Sequence, residues 1–382
     1  RIHLIGEGWN FGEVADGARF VQASQLSLPG SGIATFSDRA RDAVRGGGAG
    51  DRGAALVQRQ GWATGLHYDP NDESPTEDSR AALLRAADLV RVGLAGTLRD
   101  YVMEDARGRR VPLSALDYAG QPAGYVAEPG EVVNYVENHD NHTLFDAGVL
   151  KLPLATSRED RARAQIVALA TVAFSQGIAY FHAGGELLRS KSLDRNSYDS
   201  GDGFNRLDWT GADVGYAAGL PPERENGGDW PWLRPRLERA GIAPTRAEVE
   251  WTRAAFLDLL RIRSSSTLFR LRTAADVRER LRLLDTGPDQ AGALVAGHLD
   301  GDAYPGAGFG EMVYLINADR VPREVDAPGL RGRPYRLHPV HTGAGAGDRR
   351  AREATWSQAE ARFRVPPRTA VVFVGTPRAA SR

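Results

Sequence analysis

Two carboxylates stand where acid–base chemistry could be done. Glu7 lies between Gly6 and Gly8, directly after the short apolar run of residues 2–5. Glycines on either side let backbone approach a ligand closely. Asp140 sits in the polar stretch Asn138-His139-Asp140-Asn141, which follows the apolar run 132–136. A carboxyl just beyond a strand most often caps a helix or solvates a loop, so neither residue alone points to a reaction. As a pair, one beside Trp9 and the other beside His139, they fit hydrolysis of a glycosidic bond, which uses two carboxyl groups in different protonation states. Trp9 offers a flat apolar face for a sugar ring, and His139 a hydrogen bond to a sugar hydroxyl. His139 with His142, and His338 with His341, have loose metal-ligand spacing, but two imidazoles without further ligands define no site.

The elements that must position these groups alternate in type. Residues 2–5, 89–94, 132–136 and 178–181 read as short strands, each running into a polar or glycine-containing loop. Between them, 162–174 reads as a nearly all-apolar helix and 248–263 as an amphipathic one, while 46–50 and 223–235 have the composition of surface loops. This is the pattern of βα units around a parallel sheet. In a (β/α)8 TIM barrel the catalytic groups follow the C-terminal ends of strands, as Glu7 and Asp140 do. Four such units are half of a barrel, and half a barrel leaves parallel edges exposed. The chain also opens on Arg1 inside a strand-like run, without Met. The expectation is therefore the C-terminal part of something longer, with barrel strands of about 5–8 in residues 1–271. After Arg272 the texture changes to strands at 293–299, 312–317, 335–339, 361–365 and 370–374, punctuated by Pro-Gly and Pro-Pro turns. Residues 272–382 are expected to form an antiparallel β-sandwich, giving an α/β plus all-β architecture.

Composition sets outer bounds. The 382 residues carry 48 basic and 49 acidic side chains, a formal charge of −1, which offers no footprint for nucleic acid or an anionic membrane. No apolar run reaches the eighteen or so residues of a membrane span. The absence of Cys excludes a disulfide scaffold, a cysteine nucleophile and a thiolate zinc site. Lys151 and Lys191 are the only lysines, a bias that matches GC-rich codon usage rather than a function.

Longer motifs carry a resemblance. Gly6-Glu7-Gly8-Trp9-Asn10-Phe11-Gly12-Glu13-Val14 resembles the general-acid motif of pullulanase-type α-1,6-glucosidases, in the α-amylase superfamily (glycoside hydrolase family 13). Tyr135-Val136-Glu137-Asn138-His139-Asp140-Asn141 is similar to the fourth shared region of that superfamily. The stretch from Phe181-His182-Ala183-Gly184 through Arg189 to Tyr198 resembles the pullulanase type in particular, as do 32–39, 91–96 and 266–271. Together they cover nearly the whole chain.

The resemblance implies a role for each matched position. Glu7 would be the general acid, Asp140 the transition-state stabiliser, His139 a sugar ligand in the cleavage subsite, and Trp9 a stacking surface beyond the scissile bond. Arg195, Asn196 and Asn205 would help form the glucan-binding cleft. The substrate implied is a branched α-glucan. No cofactor is required for the chemistry, and structural Ca²⁺ is compatible with Asp69, Asn71 and Asp72, which fit solvated turns better. Localisation leans to an extracellular, bacterial-type protein. The family's nucleophile, an Asp on the fourth barrel strand, has no counterpart here, so the 382-residue chain is expected to be inactive without the missing N-terminal half. Gly185 and Gly203 stand where the family usually has an acid and an aromatic residue. Two alternatives stay open: a non-catalytic glucan-binding or partner-assembled protein, and an α-1,4-acting member of the same superfamily.

Overall fold

The computed structural model describes residues 2–376; Arg1 and residues 377–382, the outer ends of the two expected domains, lie outside the described residues. Strands β1 (Leu4–Gly6), β2 (Ile33–Ser37), β3 (Val132–Asn134) and β4 (Ile178–Ala179) form one parallel sheet in that order. Register is set by Leu4 opposite Ile33, Thr35 opposite Val132 and Val133 opposite Ile178. The outer edge of β1 is bare among the described residues, with Leu4 62% and Ile5 49% exposed. By contrast, Ala34, Val132 and Val133 are fully buried.

The sheet keeps four strands, but one is not the strand expected. Residues 89–94 are the last turns of a helix, Ser79–Leu94, and the second place in the sheet belongs to β2. A six-residue apolar run does not distinguish strand from helix, and here the wider window decides. Leu83, Ala87, Val90 and Leu94 recur at helical spacing and are all buried. We number the main helices α1 (Asp38–Arg45), α2 (Ser79–Leu94), α3 (Leu144–Lys151), α4 (Arg158–Ala173) and α5 (Arg246–Ser264). Helix α4 starts where the Ser157 side chain accepts from the Asp160 N–H, and α5 where Thr245 and Glu248 form a reciprocal capping box. Residues 223–235, read as a loop, are also largely helical: Glu223–Asn226 and Trp230–Leu237 are short helices. Trp230, Trp232 and Leu233 face an apolar cluster with Leu56, Phe145 and Val149, which outweighs the breaking tendency of Pro235, while Pro231 sits in the first turn, where proline is tolerated.

Beyond α5 the chain forms two antiparallel sheets. One contains β5 (Leu281–Leu284), β6 (Leu294–Asp300), β7 (Glu311–Asn317), β9 (Arg336–Leu337) and β12 (Thr369–Gly375), in the order β9-β12-β7-β6-β5. The other contains β8 (Arg323–Asp326), β10 (Thr355–Ser357) and β11 (Arg362–Val365), in the order β8-β11-β10. Leu294, Val313, Leu315 and Phe373 from the first sheet share a buried cluster with Val325, Phe363 and Val365 from the second. The other face of the larger sheet packs on the helices: Phe174, Phe269 and Tyr314 stack in one cluster with centroids 5.3–6.2 Å apart. At 335–339 only Arg336–Leu337 is strand, because Pro339 opens a helical turn.

The His338–His341 pair is engaged within this fold rather than open to a metal. His338 Nδ1 accepts from the Val340 N–H and its Nε2 lies 3.0 Å from Ser265 Oγ. His341 Nε2 accepts from the Val372 N–H at 3.1 Å. Similarly, Asp69 is bound by Arg320 and Arg368, and Asn71 Nδ2 donates to the Val57 and Lys151 carbonyls. Those two side chains brace the fold.

Two predictions follow from this packing. Burial pushes His338 down to about 4 and His341 to about 3, from an ordinary 6.5. Between those values and 6.5 the unfolded chain binds more protons than the folded one, so stability falls as pH drops through this window. Urea unfolding from pH 7 to pH 4 should show it, and His341→Gln should flatten the dependence. Second, Gly297 pairs with Tyr314 across β6 and β7, and a Cβ on it would lie 2.3 Å from the Tyr314 ring. Gly297→Ala should cost about 1–3 kcal/mol in the same assay; an unchanged midpoint would show that the ring moves freely.

Candidate active site

The loops that follow β1, β3 and β4 meet at the C-terminal ends of the parallel strands. After β1, Glu7 is exposed, and Gly8 turns the chain with φ +74°. A Cβ on Gly8 would lie 2.6 Å from Thr35 on the neighbouring strand, so this loop passes the sheet only with glycine there. The adjoining segment is held by one side-chain and one backbone bond from residues 22–25. Gln22 Nε2 donates to the Trp9 carbonyl at 3.1 Å, and the Gln25 N–H donates to the Gly8 carbonyl at 2.9 Å.

After β3, the residues 136–142 form a tight loop. Arg45, at the end of α1, donates to the Val136 carbonyl at 3.2 Å and to the His142 carbonyl at 2.9 Å, closing both ends of that loop. Inside it, the Asp140 N–H donates to Asn138 Oδ1 at 3.1 Å, and Asn141 turns with φ +60°. His139 Nε2 lies 3.5 Å from Asp140 Oδ1, both side chains exposed to solvent. Lys191 Nζ, from the loop after β4, donates to the His139 carbonyl at 3.1 Å. The buried Asp146 accepts from the Lys191 N–H at 2.8 Å and from Ser190 Oγ, fixing that loop to the start of α3. Burial raises the Asp146 carboxyl above its ordinary value, and these bonds oppose the shift. His142, buried and beside Arg45, is held well below its ordinary value and is neutral.

Glu137 does not join the exposed carboxylates. It is 2% exposed, accepts from the Leu144 N–H at 2.7 Å and lies 3.9 Å from His182 Nδ1. A Cβ on Gly185 would lie 2.4 Å from Glu137 Oε1. A side chain at 185 would therefore require the Glu137 carboxylate to turn aside.

The loop after β4 continues to Arg195, Asn196 and Asn205. The Arg195 N–H donates to Asn226 Oδ1 at 3.1 Å, and Asn196 Nδ2 donates to Glu225 Oε2 at 3.3 Å. The helical turn 223–226 therefore braces this part of the loop. Asn205 has a different setting: its Nδ2 donates to the Ser197 and Gly201 carbonyls, closing its own loop.

A cleft of about 420 Å³ gathers several of these groups. Trp9, Asn138, Asp140, Arg195 and Asn196 line it, with Asp38, Arg41, Ala49 and Asn141. Four of the seven residues singled out from sequence therefore share one cavity. Glu7, His139 and Asn205 are not among its lining, although Glu7 is two residues from Trp9 and His139 is next to Asp140. Trp9 also lines a second cavity of about 570 Å³ with Asn10, Gln22 and Gln25. Beneath the strand ends, Phe36, Tyr135 and Tyr180 form an edge-to-face triad with centroids 5.2–6.4 Å apart. Arg41 donates to the Tyr135 hydroxyl and to Asp42. Sequence reasoning missed Arg41 and Arg45. Their signal was the four-residue spacing that puts both on one face of α1.

The arrangement can hold a polar, ring-bearing ligand between an aromatic face, three amides, two carboxylates and two guanidinium groups. Among the described residues no three His, Asp or Glu side chains converge as a metal site would require, and no helix is long and apolar enough to cross a membrane.

Comparison with known proteins agrees with the motifs. Residues 211–376 match the family described as alpha-1,6-glucosidases, pullulanase-type, C-terminal. The chain is 41% identical over 384 aligned residues to the chloroplastic pullulanase 1 of Arabidopsis thaliana, covering 98% of this chain and 39% of that protein. It is 42% identical to the pullulanase of Klebsiella aerogenes, covering 86% of this chain and 30% of that one. The solved maltotriose complex of PulA from Klebsiella pneumoniae superposes with a TM-score of 0.91 at 38% identity, over 100% of this chain and 40% of that one. The chain thus spans well under half the length of these relatives. On its motifs, its fold and these matches, the chain belongs to the pullulanase-type α-1,6-glucosidase family.

Proposed function

We propose that this chain is the C-terminal part of a retaining glycoside hydrolase that cleaves α-1,6 branch linkages in pullulan, limit dextrins or glycogen- and starch-type glucans. In this reading, β1–β4 are strands 5–8 of a (β/α)8 barrel within residues 1–271, and residues 272–382 form a β-sandwich domain. The observation that carries the reading is the shared cleft, to which three different βα loops contribute Trp9, Asp140, Arg195 and Asn196.

The roles follow from the chemistry of retaining hydrolysis. Glu7, as a carboxylic acid, protonates the leaving glycosidic oxygen and then, as a carboxylate, takes a proton from the attacking water. Asp140 lies in the cleft, where its negative charge favours the oxocarbenium-like charge that develops on the sugar. Trp9 stacks on a sugar ring, while His139, Arg195 and Asn196 bind hydroxyls. Asn205 supports the loop that carries Arg195 and Asn196. The nucleophilic carboxylate, which such a mechanism places about 5–5.5 Å from the acid, is assigned to no residue of this chain.

Two outcomes test the reading. In the complete protein, Glu7→Gln should lower kcat/KM on pullulan by about 10²–10⁴-fold while glucan affinity is retained. Aryl glucosides with an acidic leaving group should lose less. Unchanged turnover would remove Glu7 from the mechanism, and a complete protein that binds glucan without cleaving it would favour the binding-protein alternative. Separately, the purified 382-residue chain should release no reducing sugar from pullulan, and any α-1,6 cleavage by it would overturn the assignment of the nucleophile elsewhere.

A further inference from the structure

Behind the cleft, a second and much smaller cavity has an electrostatic imbalance that glucan binding does not use. It measures about 40 Å³ and lies between the end of α1, the glycine-rich loop 46–50 and α3. It shares Arg41, Ala49, Asn141 and Arg195 with the cleft. Its charged lining consists of Arg41, Arg45, Lys151 and Arg195 against Asp42 and Asp51.

The two carboxylates are already engaged. Asp42 accepts from Arg41 Nε at 2.7 Å and from the Tyr118 hydroxyl at 2.6 Å. Asp51 accepts from Arg59 at 2.6 Å and from the Gly48 N–H at 3.1 Å. Three cations remain, and their side chains donate only to backbone carbonyls: Arg45 to Val136 and His142, Lys151 to Leu56, and Arg195 to Ala49. Lys151 is 5% exposed. Buried charges are ordinarily paired, because carbonyl dipoles alone do not replace the solvation of a full charge. Lys151, with the half-buried Arg45 and Arg195 around the same small space, makes an anion site in charge, and the volume sets the size of the anion. A cavity needs about 10–15 Å³ to hold one water, so about 40 Å³ takes a chloride-sized ion with a water or two.

We propose that this cavity binds a small monovalent anion, of which chloride is the test case, between Arg45, Lys151 and Arg195. The anion would neutralise one side of the cleft and tie together α1, which holds the Asp140 loop, α3, and the loop that carries Arg195 and Asn196. Lys151 is consistent with this occupancy: burial holds its ammonium down at about 8, and the nearby charge of Asp51 opposes that shift only in part.

The test uses the full 382-residue chain and the chloride ion itself. The ³⁵Cl NMR linewidth of sodium chloride solutions should show a saturable excess over buffer when the protein is present. Sodium gluconate added at equal ionic strength should leave the excess in place. Thermal unfolding in chloride against gluconate at that ionic strength should give a midpoint higher by about 2–4 °C in chloride. Lys151→Met should abolish both effects. Because Lys151 is buried and its loss could disturb folding, Arg195→Gln provides the second variant, and it should at least halve the excess linewidth. Arg206→Gln removes an exposed arginine that is paired with Asp213, and should change neither. The proposal is overturned, and the cavity holds water only, if the wild-type linewidth equals that of buffer. It is overturned equally if Arg195→Gln leaves the excess intact, or if Arg206→Gln reduces it as much.

Discussion

Helix α1 is the constraint on which the candidate site depends. It begins directly after β2, with Ser37 the last strand residue and Asp38 the first helical one, so its rotation is set by the sheet. Three of its arginines reach separate partners. Arg39, fully buried, donates to Gln25 and Gln121; Gln25 in turn holds the backbone of the loop that bears Trp9. Arg41 reaches Tyr135 on the aromatic floor, and Arg45 clamps both ends of the Asp140 loop. Removing a guanidinium from water costs several kcal/mol unless its hydrogen bonds are replaced, so each of these residues persists because its bonds are made. One short helix thereby sets the relative positions of loops that are more than 100 residues apart in sequence.

The C-terminal sheets contribute by packing. The larger antiparallel sheet buries one face against the smaller sheet and the other against the helical part, where Tyr314 meets Phe174 and Phe269. Arg91 of α2, fully buried, donates to Gln290 and to the Asp285 carbonyl, which join the helix to the first C-terminal strands. Arg163 of α4 lies over Trp251 and pairs with Asp348. The β region thus clamps the outer helices, and the helices hold the parallel strands from behind.

Legibility from sequence divided along the same lines. The paired carboxylates, Trp9 and the loop order were readable, because each lies in a contiguous motif next to a short apolar run. Helices α4 and α5 were readable from apolar periodicity and their capping residues. The run 89–94 was misread because a short apolar segment carries no period of its own, and Ile33–Ser37 was passed over because Thr35 and Ser37 interrupt its apolar residues. Strands β5, β8 and β10 escaped notice because Arg, Glu and Thr occupy their exposed faces. Arg41 and Arg45 were invisible as site residues for a different reason. Their partners at 135, 136 and 142 are some ninety residues away, so the helix face they share does not by itself show what they bind.

The contact between Glu137 and Gly185 has a consequence for comparing relatives. With Glu137 held by the Leu144 N–H, the space over position 185 is filled by a carboxylate oxygen. An acid placed at 185 would meet that oxygen inside low-dielectric surroundings, where like charges repel strongly. The two positions are therefore expected to depend on each other, because any side chain at 185 requires the Glu137 carboxylate to move. A residue transplanted from a relative into one of them tests the fold only if the other is exchanged with it, and single-site comparisons at 185 would mistake a packing conflict for a catalytic effect.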